Sequence, residues 1–171
     1  MAVFKQLNGR GRYHDNLARH DVINYIFRLD KAMSGFIGGI HVDPFSPAES
    51  MRKVAQKFEN DSMIRLRHFI ISFSPDEIDD PEVVNEIAQK ITLWIGQRFQ
   101  AVYAVHEDVF HLHAHFVFNS VSFLDGRKFY GTRKDLYDFI NFLKSLLLSY
   151  GVTQLHQISW KSGQDTQDFW E

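Results

Sequence analysis

The sequence of 171 residues contains no cysteine, which excludes disulfide bonds, cysteine-ligated zinc sites and thiol nucleophiles. It has no apolar run long enough to span a bilayer and no N-terminus typical of a secretion signal. Neither sign of charge dominates, since 19 Lys and Arg stand against 21 Asp and Glu. A protein held to nucleic acid by electrostatics alone would be more basic. We therefore expect a cytoplasmic protein that is not inserted in a membrane.

What the sequence does contain is an alternating run of histidines, His111, His113 and His115, with His106 shortly before it. In a β-strand alternate side chains share a face, so the three histidines of the run would project from the same side. Neutral imidazole is the commonest protein ligand for transition metals, and three such ligands leave positions open for water or substrate. The run therefore predicts a metal site that supports chemistry.

Hydrophobic periodicity and turn residues predict the order strand, helix, helix, strand, helix, hairpin, helix. The predicted strands are Ala2–Leu7, Arg67–Phe73, Gln100–His106 and His111–Phe123, and the predicted helices are Asn16–Leu29, Ser46–Asn60, Asp80–Ile95 and Thr132–Gly151. The glycine-rich segment Lys31–Pro44 is typical of a loop with a short strand, and the tail Gln154–Glu171 is polar and weakly patterned. This order indicates an α+β domain with an antiparallel sheet. Helices would cover one face, and the histidines would lie on the other face, which would be partly open.

If the substrate of this metal site is a phosphodiester, the group that attacks it could be water, serine or tyrosine, since cysteine is absent. Tyr25 is the leading tyrosine because it lies on the first predicted helix, next to the glycine-rich segment, and Tyr13 is the alternative. The apolar periodicity of that helix is equally compatible with a buried core tyrosine at position 25. The residues alone leave these alternatives open.

Three segments resemble a known family: Asn24-Tyr25-Ile26, His68–Phe73, and Ala104–Asp108 followed by His113-Ala114-His115 and Asn119. The family is that of the conjugative and mobilisation relaxases, tyrosine nucleases of the HUH endonuclease superfamily, and in particular its MOBP or MobL-like group. The resemblance implies a metal-dependent enzyme that nicks one strand at a transfer origin through a 5′-phosphotyrosine and can rejoin it. Such a reaction starts the transfer of a plasmid or integrative element.

The resemblance also implies roles for individual residues. Tyr25 would be the nucleophile, and Asp108 would be an acid that orients a metal ligand. The ligands of a divalent metal would be His106, His113 and His115. The expected metal is Mn or Mg, with Zn, Ni or Co as alternatives in a crystal. His111 could replace His106 as a ligand if the hairpin register differs from that of the family.

Single-stranded DNA is commonly held by aromatic side chains along a basic groove. The expected DNA-binding residues are Arg10, Arg12, Arg127, Lys128, Arg133 and Lys134. The resemblance implies origin DNA, accessory relaxosome proteins and a type IV secretion coupling protein as partners. Residues 1–171 would be a single nuclease domain, the N-terminal part of a longer protein. There are two alternative functions. One is a replication-initiator or transposase nuclease of the same superfamily, and the other is a non-catalytic module that binds single strands.

Overall fold

The computed structural model describes residues 1–7, 13–28, 30–107 and 111–158, which form six strands and four helices. The strands are β1 (Ala2–Leu7), β2 (Ala32–Ile40), β3 (Leu66–Phe73), β4 (Ala101–Glu107), β5 (Leu112–Asn119) and β6 (Leu155–Ile158). The helices are α1 (Ala18–Ile26), α2 (Pro47–Lys57), α3 (Pro81–Ile95) and α4 (Arg133–Leu148). The α+β class predicted from the sequence is confirmed. None of these helices is long and apolar enough to cross a membrane.

The six strands form one sheet in the order β2-β4-β5-β3-β1-β6. All neighbouring strands are antiparallel except β1 and β6, which are parallel. β5 lies near the centre of the sheet, and every one of its residues is buried. Because successive side chains of a strand point to opposite faces, β5 contributes to two different environments.

On one face of the sheet, α3 and α4 pack against an apolar and largely aromatic core. From β5 this core receives Leu112, Ala114, Phe116 and Phe118. Phe116 is fully buried, and its ring stacks on that of Phe69 with a centroid distance of 4.7 Å. Both helices begin as predicted: the Asp80 carboxylate accepts from the N–H of Glu82, and Thr132 forms a capping box with Asp135.

The face that carries the histidines was predicted to be partly open, and two helices cover part of it. α1 and α2 pack on it and bury Ile23, Ile26 and Met51 against residues of β4 and β5. The reason is that Val102 and Val117 point to this face as well, and their exposure to water would be unfavourable. The helices therefore cover the apolar part of the face, and the histidines lie beyond it.

A buried asparagine holds these two helices on the sheet. Asn119, at the end of β5, accepts from the guanidinium of Arg19 on α1 at 3.2 Å. Its amide donates to the carbonyl of Met51 on α2 and to the side chain of Gln100, both at 3.0 Å. Asn119 belongs to one of the segments that carry the family resemblance, and its contacts are those of a structural residue.

The glycine-rich segment was predicted as a loop with a short strand, but it forms the nine-residue edge strand β2, paired with β4. A Cβ at Gly38 would lie only 2.6 Å from Cε1 of Tyr103. The glycine at this position therefore leaves room for a side chain of the neighbouring strand and does not form a turn.

The C-terminal tail also contains a strand that its polar sequence did not predict. Leu155–Ile158 pair with Ala2–Lys5 of β1 as β6, at the edge of the sheet. Its four side chains are exposed or only partly buried, so the strand carries no apolar signal. Residues 159–171 of the tail lie outside the described residues.

Candidate metal centre

Three histidines meet where β4 ends and β5 begins. The two strands pair so that His106 lies directly opposite His113, and His115 follows on the same face. The ring centroids are 5.3 Å apart for His106 and His113, 4.4 Å for His106 and His115, and 5.1 Å for His113 and His115. One ligand atom from each side chain lies within 4.8 Å of the other two. The three could therefore hold one metal ion.

The burial and chemistry of this histidine cluster fit a divalent transition metal. The relative exposures of His106, His113 and His115 are 3%, 8% and 4%. Burial, followed by the neighbouring His68 and His113, holds the pKa of His115 well below its usual range. His115 is therefore neutral at physiological pH, which is the form that binds a metal. Nitrogen donors suit Mn or Zn better than Mg, which prefers oxygen ligands.

His111, the alternative ligand, precedes β5 and lies beside this cluster. Its ring centroid is 5.5 Å from that of His113. Among the described residues, the side chains whose ligand atoms lie within 4.8 Å of one another are His106, His113 and His115. His111 is not one of them. The hairpin register thus favours His106 as the third ligand.

Behind His115 lies a second layer of buried polar side chains. Nε2 of His68, from β3, is 3.0 Å from Nδ1 of His115, and the hydroxyl of Tyr13 is 3.1 Å from Nδ1 of His68. Burial, and then the nearby His106, lowers the pKa of His68 to about 3. Burial raises the pKa of the Tyr13 phenol above its ordinary value. The sequence analysis used His68 as part of a motif without a role, because only the pairing of β3 with β5 brings it to the site.

Tyr25 lies near the end of α1, at the edge of the histidine cluster. Its side chain is 44% exposed, and its ring meets that of His115 edge to face with a centroid distance of 6.2 Å. The helix is held at the site because Nε2–H of His106 donates to the carbonyl of Ile26 at 2.6 Å. The exposure excludes the interpretation of Tyr25 as a core residue. Tyr13, the alternative nucleophile, is only 6% exposed, so accessibility favours Tyr25.

Four of the basic residues predicted to bind DNA are described by the structure, and these four are not brought to the histidines. Arg127 and Lys128 follow β5, and Arg133 and Lys134 begin α4. These four residues lie beyond the C-terminal end of β5, whereas His113 lies near its N-terminal end. At the rise of an extended strand, about 20 Å separates His113 from the C-terminal end of β5.

Three of these side chains also have protein partners. The ammonium of Lys128 donates to the carbonyl of Ser62, and that of Lys134 pairs with Asp138. The guanidinium of Arg127 pairs with Asp125 at 3.6 Å. The other predicted residues, Arg10, Arg12 and Asp108, lie outside the described residues.

Most of the chain matches a known protein family. The family model of the MobA/VirD2-like relaxases, which describes their nuclease domain, matches residues 25–152. The matched range contains Tyr25, His68 and the three clustered histidines. No solved structure matches the chain significantly.

Two relatives match part of this chain, and one of them is named a relaxase. The "Group II intron-interrupted relaxase LtrB" of Lactococcus lactis subsp. cremoris (strain MG1363) is 35% identical over 75 residues, which are 43% of this chain and 13% of that protein. The "Protein rlx" of Staphylococcus aureus is 35% identical over 72 residues, 42% of this chain and 22% of the relative. The matched segments thus span less than a quarter of either relative. Because the family model covers most of the chain, the chain belongs to the MobA/VirD2-like relaxases and contains their nuclease domain.

Proposed function

We propose that this domain nicks one DNA strand at a transfer origin, with Tyr25 as the nucleophile and His106, His113 and His115 as ligands of a divalent metal. One observation carries the proposal: in a chain of the relaxase nuclease family, the exposed Tyr25 ring lies 6.2 Å from the buried His115 of a three-histidine cluster. A nucleophile must reach the substrate, whereas ligands are best held in a buried and fixed site.

In the proposed step the phenolic oxygen of Tyr25 forms a bond to phosphorus, and the bond from phosphorus to the 3′ oxygen breaks. The phenol loses its proton and the leaving 3′ oxygen gains one, so no co-reactant is consumed. Because one phosphodiester is exchanged for another, the reverse step can rejoin the strand. A divalent cation in the site, Mn or Mg, would neutralise charge on the non-bridging oxygens of the phosphate.

The remaining assignments concern how the substrate is held. Asp108 would orient a metal ligand, as outer carboxylates do in metal sites. The residues that would contact the single strand are Arg10, Arg12, Arg127, Lys128, Arg133 and Lys134. The distance of the last four from the histidines implies a strand that runs along the sheet for several nucleotides. Accessory relaxosome proteins and a type IV secretion coupling protein would complete the transfer machinery in the cytoplasm, and residues 1–171 would be one domain of a longer relaxase.

The alternative functions are less well supported. The family match is to a relaxase nuclease domain, which favours transfer of an element over initiation of replication or transposition. A module that only binds single strands would not need an exposed tyrosine beside three buried histidines.

The test is a covalent adduct between the protein and DNA. The protein is incubated with Mn and with single-stranded oligonucleotides that tile the transfer origin of the element encoding it, and adducts are separated on denaturing gels. We expect an adduct with one strand only, and its loss in Tyr25→Phe, in His113→Ala and after chelation of the metal. The control is Tyr137→Phe, which removes the hydroxyl of an exposed tyrosine on α4 and should keep the adduct.

Two outcomes would overturn the proposal. An adduct that survives in Tyr25→Phe would place the nucleophile elsewhere, with Tyr13→Phe as the next variant to examine. A folded, metal-loaded wild type that binds origin DNA but forms no adduct would be a binding module.

A further inference from the structure

We propose that Tyr13 and His68 form a hydrogen-bonded pair that positions His115 to bind the metal through its Nε2 atom. The inference rests on the metal site of the proposed function, and it gives both residues a positioning role, since neither would touch the metal or the DNA. It also assigns Tyr13 a role other than that of nucleophile.

Three distant parts of the chain converge in this pair and its ligand. Tyr13 precedes α1, His68 lies on β3, and His115 lies on β5. The hydroxyl of Tyr13 is 3.1 Å from Nδ1 of His68, and Nε2 of His68 is 3.0 Å from Nδ1 of His115. All three side chains are buried, so water does not compete for these hydrogen bonds.

The pair is itself held in place by the backbone. The N–H of Arg65 donates to the carbonyl of Tyr13 at 2.9 Å, which ties the tyrosine to the residue before β3. His68 is fixed by its position in β3, which pairs with β5 from Leu66–Asn119 to Ser72–His113. The geometry therefore does not depend on a flexible side chain finding its partner.

These contacts determine where the protons lie when a metal is bound. Because Nδ1 of His115 faces His68, Nε2 is the ring nitrogen of His115 left to bind the metal. The proton of the neutral imidazole is then on Nδ1, and this N–H donates to Nε2 of His68. His68 carries its own proton on Nδ1, where the N–H donates to the hydroxyl oxygen of Tyr13. Each partner thus fixes the tautomer of the next.

The loss of such an outer contact typically lowers metal affinity about 10- to 100-fold. Tyr13→Phe removes only the hydroxyl, so we expect affinity to fall toward the lower end of this range, about 10-fold. His68→Phe removes the acceptor of the His115 N–H, and we expect a fall of up to about 100-fold. His68→Gln can place an amide oxygen near the position of Nε2 and should restore part of the affinity.

The experiment titrates the metal-free protein with Mn by calorimetry and monitors thermal unfolding in parallel. The matched control is Tyr103→Phe, because Tyr103 is also buried and its hydroxyl donates to Oδ1 of Asn85 at 2.8 Å, on the opposite face of the sheet. This variant should lose stability and keep its Mn affinity. A second readout is the nitrogen-15 spectrum of the histidines, in which His115 should carry its proton on Nδ1 in the wild type and lose that preference in His68→Phe.

The outcomes separate this inference from the proposed function. Unchanged Mn affinity in both Tyr13→Phe and His68→Phe would overturn the pair, as would an equal loss in Tyr103→Phe. A wild type that binds no Mn would overturn the pair together with the metal site. A wild type in which Mn binding depends on the pair but that forms no DNA adduct would support the pair and overturn only the proposed function.

Discussion

His115 and Phe116 are neighbours on β5, are both buried, and serve opposite faces of the sheet. The ring of Phe116 stacks on Phe69 in an apolar core, whereas the ring of His115 hydrogen-bonds to His68 and meets Tyr25. Burial alone therefore does not distinguish a core residue from a site residue in this domain. The contacts of the side chain make that distinction.

The two faces should also differ in what they contribute to the free energy of folding. Burial of the aromatic face removes a large apolar area from water and stabilises the domain. Burial of imidazoles on the other face costs desolvation energy, which hydrogen bonds such as that between His68 and His115 offset only in part. We expect stability to depend mainly on the first face and metal binding on the second.

The largest effect on stability is expected for Phe116→Ala. Removal of this fully buried ring leaves a cavity in the core, so the free energy of unfolding should fall by about 3–5 kcal/mol, as measured by urea denaturation. The Mn affinity of the fraction that remains folded should not change. Phe116→Leu, which fills most of the cavity, should show the same pattern with a smaller loss.

His115→Ala provides the reciprocal test of the comparison. It should abolish Mn binding at the histidine cluster and cost less stability in the metal-free protein than Phe116→Ala. The separation of the two faces would be refuted if Phe116→Ala weakened Mn binding in folded protein as strongly as His115→Ala does.

Much of the sheet and of its histidine cluster was predictable, because both follow from local patterns. Alternation along His111–His115 predicts the face on which His113 and His115 lie, and parity across the short hairpin adds His106. Strong apolar periodicity and capping residues such as Thr132 predict the helices.

The rest depends on contacts that local patterns do not encode. The approach of His68 to His115 requires β3 to lie next to β5, and strand order is a property of the whole fold. β6 is defined by backbone pairing and has no apolar pattern, and the glycines of β2 resemble those of a loop. The packing of α1 and α2 over residues such as Val102, which point to the same side as the histidines, also depends on the whole fold.

A third prediction concerns the pH dependence of stability in the metal-free protein. The pKa of His68 is about 3 in the folded state because of burial, against 6.5 for an ordinary histidine. The unfolded chain therefore binds more protons between these values, so the free energy of unfolding is highest above pH 6.5 and falls as pH decreases toward 3. For this group the free energy of unfolding should fall by roughly 2 kcal/mol between pH 6.5 and 5.

The variant that tests this prediction is His68→Phe, whose unfolding free energy should change less between pH 6.5 and 5 than that of the wild type. His156→Gln is the control, because it also removes a histidine but at an exposed position on β6, at the edge of the sheet. Equal pH dependence in the wild type and His68→Phe would contradict a lowered pKa of His68 in the folded state.

The smallest effect is expected at the start of α4, which packs on the aromatic face. The Thr132 hydroxyl accepts from the N–H of Asp135, and the Asp135 carboxylate accepts from the N–H of Thr132, so both groups satisfy backbone donors at the first turn. Thr132→Ala should lower the free energy of unfolding by about 1 kcal/mol in urea denaturation. Thr153→Ala, at an exposed threonine outside any helix, should have no comparable effect. Because α4 packs on the face of the sheet opposite the histidine cluster, Mn affinity should stay the same in Thr132→Ala. A parallel loss of affinity would mean that the two faces of β5 are coupled through the sheet.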